Sequence, residues 1–407
     1  MSDTYYDIAI VGGGMVGACL AASLAQSSLR ILVLETGEPS AASASGDYDL
    51  RVSAITRVSE RIFRSLGAWD AMTALRVAPF REMHVWDAGG TGEVHFDSAE
   101  MGEDCLGHII ENRVISSALQ QRLSAYPNLD VRYTCGLEHF EKIDDHFVLQ
   151  LDHGDPVRCG LLVGADGGHS RVRNLAGIAV HGWAYDQVAV VATLRTELPH
   201  RETAWQRFLP TGPLAFLPLQ EPYCSIVWST TPEKAAELMS LDDTEFARQA
   251  AEAFEYRLGK VTVCGGRASF PLKLQYADHY VQDGIALIGD AAHSIHPLAG
   301  QGVNLGILDA ASLAQVLLQA HQQGKRIAAL PVLRKYERWR KGDNLGMMML
   351  MDGFKRVFGV RFTPFRILRN AGLRLTDVLP PVKSLIMKNA MGVRGELPDL
   401  ARPVPLE

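Results

Sequence analysis

The chain has 407 residues, is 47% hydrophobic and carries a formal net charge of −6. That much apolar content over that length supports two buried cores and excludes an intrinsically disordered protein. The mild acidity offers no broad basic field, so a nucleic-acid partner is not expected.

The first predicted element is a strand at residues 7–11, a short apolar run that stops at a glycine cluster and reads as buried on both faces. A helix rich in Ala and Leu follows over 15–26, and a second apolar strand over 31–34 ends at Glu35, which completes a βαβ unit. Residues 41–47 are rich in Ser, Ala and Gly and read as a loop leading into Asp49-Leu50-Arg51-Val52-Ser53. Two further strands, at 161–165 and 285–289, each run into an aspartate at a turn, Asp166 and Asp290. Between them the pattern changes. Val188, Val190, Ala192 and Leu194 alternate, and 214–219 and 225–229 read as more strands, so a separate antiparallel sheet is expected. From about residue 300 the pattern is helical, with segments at 331–356, 365–375 and 381–391.

Six cysteines lie far apart without a Cys-x-x-Cys pair, which suggests neither a disulfide framework nor a zinc site and fits a reducing cytoplasm. No uninterrupted apolar run approaches the roughly 18–20 residues of a membrane span. The acidic start at Asp3 and Asp7 has no basic n-region, so export is not expected.

Gly12-Gly13-Gly14-Met15-Val16-Gly17 fits G-x-G-x-x-G directly after a strand and at a helix start, where Gly12, Gly14 and Gly17 let backbone approach a pyrophosphate. Glu35, at the end of the next strand, stands where a carboxylate takes the ribose hydroxyls of an adenosine. This fingerprint alone does not separate NAD from FAD. The elements Asp166-Gly167-Gly168-His169-Ser170-Arg171-Val172-Arg173 and Gly289-Asp290-Ala291-Ala292-His293 decide for FAD, whose ribityl chain and ring need the extra donors. His293 and His296 lack an acidic partner at facial-triad spacing, so no metal is expected.

With these three elements in this order, the chain resembles the class A flavoprotein monooxygenases built on the p-hydroxybenzoate hydroxylase fold. The resemblance implies an α/β fold: a discontinuous Rossmann-like FAD-binding domain (1–75, 105–182 and 278–340), an inserted antiparallel-sheet substrate domain (76–104 and 183–277) and a helical C-terminal region (341–407). It implies that Asp290 holds the ribityl chain, that Asp166 faces the pyrophosphate and the nicotinamide donor, and that Arg51 and Arg113 contact the cofactor. Pro297 and Gly300, with Gly302, Val303 and Asn304 at the following helix start, would form the backbone environment of the flavin ring. The implied chemistry is flavin reduction by transient NAD(P)H, formation of a C4a-hydroperoxide with molecular oxygen, and hydroxylation of an activated ring. No general base is assigned.

Asp49 to Ile55, Glu111-Asn112-Arg113, Trp205-Gln206-Arg207-Phe208, Gly212 to Leu219 and His296 to Gly302 are similar to the ubiquinone-biosynthesis hydroxylases. The similarity runs from about Tyr6 to about Leu400. Met101-Gly102, Leu106 to Asn112 and Ala390-Met391-Gly392 resemble the type that hydroxylates C5 of a polyprenylphenol. Two alternatives stay open: a relative acting on another ring position or aromatic, and a non-catalytic flavin-binding scaffold of a quinone-biosynthesis complex. Halogenases of this fold carry a Trp-x-Trp element, which does not occur here.

A prenylated phenol or quinol would meet the aromatic side chains Trp205, Phe208, Phe216 and Trp228, and the Met347 to Met351 run is an apolar surface suited to a prenyl tail. From Lys341 onward, eleven Lys or Arg face six Asp or Glu amid apolar residues. That segment reads as an interfacial element for an anionic membrane surface, as a dock for an acidic partner, or as a plain helical cap. A cytoplasmic protein, peripheral at the inner face of the membrane, is the expected setting.

Overall fold

The computed structural model describes residues 4–294 except 45, 89 and 91, together with 302–359, 383, 391–392 and 395–402. Pro297, Gly300 and most of the expected C-terminal helices at 365–375 and 381–391 lie outside the described residues.

The strand Tyr5–Val11 lies between Val157–Gly164 and Ile31–Leu34, parallel to both. Ile8, Ala9 and Ile10 are fully buried, which is why this stretch is a continuous apolar run and does not alternate. Ile285–Leu287 and Leu129–Arg132 extend the sheet in parallel on either side. An antiparallel hairpin, Leu137–Ile143 with His146–Leu151, pairs with the Val157–Gly164 strand and was not anticipated from the sequence. Helix Met15–Leu24 packs on this sheet and ends two residues before its expected limit.

A second sheet of eight strands runs His293–Ser294, Val261–Ala277, Val180–Thr196, Tyr223–Thr230, Gly212–Pro218, Thr203–Leu209, Glu82–Asp87 and Glu93–Asp97. Its pairings are antiparallel apart from Thr203–Leu209 with Glu82–Asp87. One face buries Val190, Ala192, Leu194, Leu214, Phe216, Ile226 and Trp228 beneath the helices Pro232–Ser240 and Asp243–Ala253. Val77–Phe80 belongs to a third, three-stranded sheet with Val52–Thr56 and Gly107–Glu111, so the chain passes from that sheet to the second at Arg81.

Helix Gly302–Gln322 is interrupted by Asn304, Asp309, Ser312 and Gln315, yet its 21 residues and a mean hydropathy of 1.3 meet the length and composition of a membrane span. The physical reason is burial inside the protein: 78% of the apolar window is covered, largely by helix Met15–Leu24 and the neighbouring helix Leu330–Gly359. It is the central helix of the larger core.

Candidate functional site

Beyond the first strand, Gly12 takes φ +102, and a Cβ there would stand 2.4 Å from the Ala165 carbonyl oxygen. At Gly17 a Cβ would stand 1.8 Å from the Gly12 oxygen. Gly14 differs. A Cβ built on it meets nothing within 4 Å, and it opens helix Met15–Leu24 with no side-chain cap. The helix start therefore presents its first amides to an open cradle, which fits a dianionic pyrophosphate. Glu35 stands beside it, its carboxylate accepting from Gly13 N at 2.7 Å and Gly37 N at 2.8 Å.

Asp166 turns its carboxylate inward, accepting from Ser170 Oγ (2.5 Å), Arg171 N (2.7 Å) and Val172 N (3.1 Å). It shapes the turn, and the turn's Gly167, Gly168 and His169 line the cleft. Buried Arg173 joins this turn to the next, donating to the Gly168 carbonyl (2.8 Å) and the Ala291 carbonyl (2.9 Å).

Asp290 lies on the cleft floor, surrounded by protein mass but accessible through the mouth. Burial pushes its carboxyl pKa up, while the charges of His293 and Arg51 pull the other way. The turn that carries Asp290 is held by Asp309, a fully buried carboxylate. Asp309 Oδ2 accepts from Gly289 N (3.2 Å) and pairs with His293 Nε2 (2.5 Å). Its Oδ1 accepts from Arg340 Nε (2.9 Å) and Asn344 Nδ2 (3.1 Å). His293 thus does find an acidic partner, sixteen residues along the chain, in an ion cluster whose role is to hold the turn.

Gly302 and Val303 line the cleft at the helix start. Asn304 is 3% exposed and serves as a staple, donating to the Ala54 carbonyl (2.7 Å) and accepting from Thr56 N (3.0 Å). Arg51 lines the cleft with its guanidinium over the Phe270 ring. Arg113 lies behind it. Its guanidinium contacts Glu111 (2.9 Å) and the Asp47 carbonyl, and Glu111 also pairs with buried Arg76 (2.9 Å) and accepts from Asp49 N (2.6 Å). This cluster clamps the loop that presents Arg51.

The cleft has a volume of about 520 Å³, within the usual range of small-molecule sites. One wall is the glycine cradle with Arg51, Ser53, Asn112 and Asp290; the other is the free face of the second sheet, with Ala189, Val191, Gln206, Ala215, Leu217 and Val227. The four aromatics expected there are not on this wall. Phe216 and Trp228 are buried on the opposite face, Trp205 packs against that same core, and Phe208 joins a third cluster. Strand alternation is the cause for Trp205, Phe216 and Trp228, since Ala215 and Leu217 face the cleft when Leu214 and Phe216 face the helices; Phe208 shares the face of Gln206 and is taken up by the cluster of Val85, Val94 and Phe96. Met348 is buried between Leu272, Leu274 and Leu305, so this part of the methionine run closes a core. Gln206, Lys273 and Gln275 also line the cleft; Lys273 and Gln275 carried no sequence signal, and Gln206 entered only as part of the Trp205-Gln206-Arg207-Phe208 motif.

The donor set fits FAD: an open phosphate cradle, a carboxylate for the adenosine ribose, and the Arg51 and Asp290 pair further along the same cleft. Comparison with known proteins agrees. Residues 5–342 match the family described as FAD binding domain. The chain is 40% identical to 3-demethoxyubiquinol 3-hydroxylase of Escherichia coli (strain K12), over 97% of this chain and 100% of that one. It is 36% identical to ubiquinone hydroxylase UbiL of Rhodospirillum rubrum, covering 100% and 94%. The mitochondrial ubiquinone biosynthesis monooxygenase COQ6 of Homo sapiens is 37% identical, covering 95% and 91%. The crystal structure of p-nitrophenol 4-monooxygenase PnpA from Pseudomonas putida DLL-E4 superposes with a TM-score of 0.78 at 19% identity over 96% and 98% of the chains, a likeness of fold.

Proposed function

The chain belongs to the FAD-dependent hydroxylases of ubiquinone biosynthesis, and from that premise we propose that it hydroxylates the ring of a prenylated ubiquinone precursor in the cleft between its two large sheets. One observation carries the reading: the glycine cradle and a largely apolar sheet face line the same cavity. Bound FAD, reduced by NAD(P)H, supplies the activation of molecular oxygen and electrophilic oxygen transfer to the ring. The chain's own residues bind and orient. Gly14 leaves room for the pyrophosphate, Glu35 takes the adenosine ribose, and Asp290 with Arg51 holds the ribityl end. The Asp166 turn shapes the cleft beside the cradle, and Arg113 acts through the loop that carries Arg51. Gly302 and Val303 direct the amides of a 21-residue helix at the ring end, a preorganised positive dipole. Ala189, Val191, Ala215 and Val227 keep the substrate side dry and shaped for a flat ring.

For the ring carbon, the sequence resemblance points to C5, whereas the 40% relative is named for hydroxylation of 3-demethoxyubiquinol at position 3. We adopt the second, because that alignment spans 97% of this chain and 100% of the relative. Mass spectrometry of quinone intermediates in a deletion strain is expected to show accumulated demethoxyubiquinol. Accumulation of an intermediate lacking the C5 oxygen would return the assignment to C5. Unchanged quinone levels, together with no substrate-stimulated NAD(P)H oxidation by the pure protein, would instead favour a scaffold.

The excess of basic residues after Lys341 supports docking at an anionic membrane surface, where such a substrate resides. Liposome flotation is expected to rise with anionic lipid and fall with salt. Flotation indifferent to both removes this part of the reading.

A further inference from the structure

Two amides of the second sheet line the cleft, Gln206 and Gln275; Gln275 donates to the Gly168 carbonyl (3.3 Å), and cross-strand register shows what surrounds Gln206. Gln206 lies opposite Ala215, Ala215 opposite Val227, and Val227 opposite Val191, so these side chains form one row across four strands, all facing the cleft. The neighbouring rows add two small hydroxyls, Ser225 opposite Leu217 and Ser229 opposite Ala189. Gln206 is half-buried, and among the described residues its amide has no hydrogen-bond partner. The adjacent cation is turned away. Arg207 points through the opposite face, where it donates to the Ala253 carbonyl (2.6 Å) and pairs with Glu255 (2.7 Å). Of the charged side chains that line the cleft, Arg51 and Asp290 stand outside the second sheet, and Lys273 stands on its strand Val261–Ala277, five residues along from Ala268, the partner of Val191.

We propose that Gln206 is a specificity-determining residue whose amide hydrogen-bonds a ring oxygen of the substrate, and that the uncharged row of Ala215, Val227 and Val191 beside it selects neutral, decarboxylated phenols or quinols over hydroxybenzoates. The proposal rests on the hydroxylase reading of this cleft. An amide both donates and accepts, so it serves a phenolic O–H and a ring oxygen equally. A carboxylate brought against Ala215, Val227 and Val191 would lose its hydration with no guanidinium to replace it, which is costly. A site built around a hydrogen bond also discriminates more sharply than an apolar surface does.

The test uses FAD-loaded wild type, Gln206→Leu and Gln206→Arg, with a short-chain demethoxyubiquinol analogue and 4-hydroxybenzoate as probes. Binding is read from the perturbation of flavin absorbance, turnover from hydroxylated product. The leucine variant is expected to raise Kd and KM for the quinol about tenfold with a smaller change in kcat, the size of one lost hydrogen bond. The arginine variant is expected to gain affinity for 4-hydroxybenzoate. Quinol binding by the leucine variant equal to wild type, or wild-type binding of 4-hydroxybenzoate as tight as of the quinol, overturns the proposal. If the wild type binds the quinol but does not hydroxylate it, the hydroxylase reading fails, and the Kd comparison still decides Gln206.

Discussion

Replacing Asp309 with alanine is expected to lower the unfolding free energy by about 3–5 kcal/mol, the cost of breaking a buried ion pair and stranding its partners. Asp309 is 0% exposed, and its two oxygens serve His293, Arg340, Asn344 and the Gly289 amide. Without the carboxylate, the Arg340 guanidinium, itself 3% exposed, loses its counter-ion in a medium that cannot solvate it. Asn344 and Asp343 still contact Arg340, which keeps the loss below that of a fully isolated charge.

The same carboxylate makes stability depend on acid. Burial opposes its ionisation, but the charge and hydrogen bond of His293 together with Arg340 outweigh burial and hold its pKa at about 2, below the ordinary 3.8. A group whose folded-state pKa is depressed contributes stability that is fully present above its unfolded value. That contribution is lost as pH falls from 3.8 toward 2. Urea unfolding of wild type and Asp309→Ala between pH 2 and pH 7 reads both effects: the difference between them is expected to be largest at neutral pH and to shrink in that acid window. Equal midpoints at pH 7 would show that the cluster does not hold the Asp290 turn.

Substitutions at the cradle are expected to separate cofactor binding from folding. Gly14→Glu should fold and be colourless, because its Cβ has open space, its φ of −69° suits any residue, and the added side chain fills the pyrophosphate path. Gly17→Ala should fail to fold well, since its methyl group would sit 1.8 Å from a backbone oxygen that cannot move independently. Between these extremes, Asp290→Ala and Arg51→Ala remove side chains that face the cleft. Each is expected to weaken FAD by about 1.5–3 kcal/mol, roughly tenfold to a hundredfold, with apo-protein thermal midpoints near wild type. Wild-type FAD should be released by denaturation and counted by its fluorescence. A Gly14→Glu protein with full flavin content would place the pyrophosphate elsewhere.

The cofactor end of the molecule was legible because its requirements are local. A strand that must be buried on both faces reads as an apolar run, and glycines at a strand-to-helix turn answer to contacts between residues a few positions apart. The backbone approaches at Gly12 and Gly17 and the empty space at Gly14 are the structural forms of that pattern. Asp290 was found as the aspartate that ends a strand and Arg51 through resemblance, and both line the cleft. Arg113 shows where that route stops, since its guanidinium contacts Glu111 and the loop carbonyl of Asp47, a contact no spacing announces.

The substrate wall needed the tertiary structure. Composition identified Trp205, Phe208, Phe216 and Trp228 as apolar, but which face of a strand meets the cleft depends on what packs behind the sheet. Here the helices Pro232–Ser240 and Asp243–Ala253 cover the face of Trp205, Phe216 and Trp228, the cluster of Val85 and Phe96 takes Phe208, and Gln206, Ala215 and Val227 are left facing the cleft. The His293, Asp309 and Arg340 cluster was illegible for the same reason: its members come from three elements that only packing brings together. Sequence by itself determined the dinucleotide cradle, because short-range backbone geometry encodes it, and the family chemistry came with the resemblance to known hydroxylases. The substrate-facing surface and the ion cluster beneath Asp290 were decided by tertiary structure, because burial and charge pairing are properties of residues that are neighbours in space and strangers along the chain.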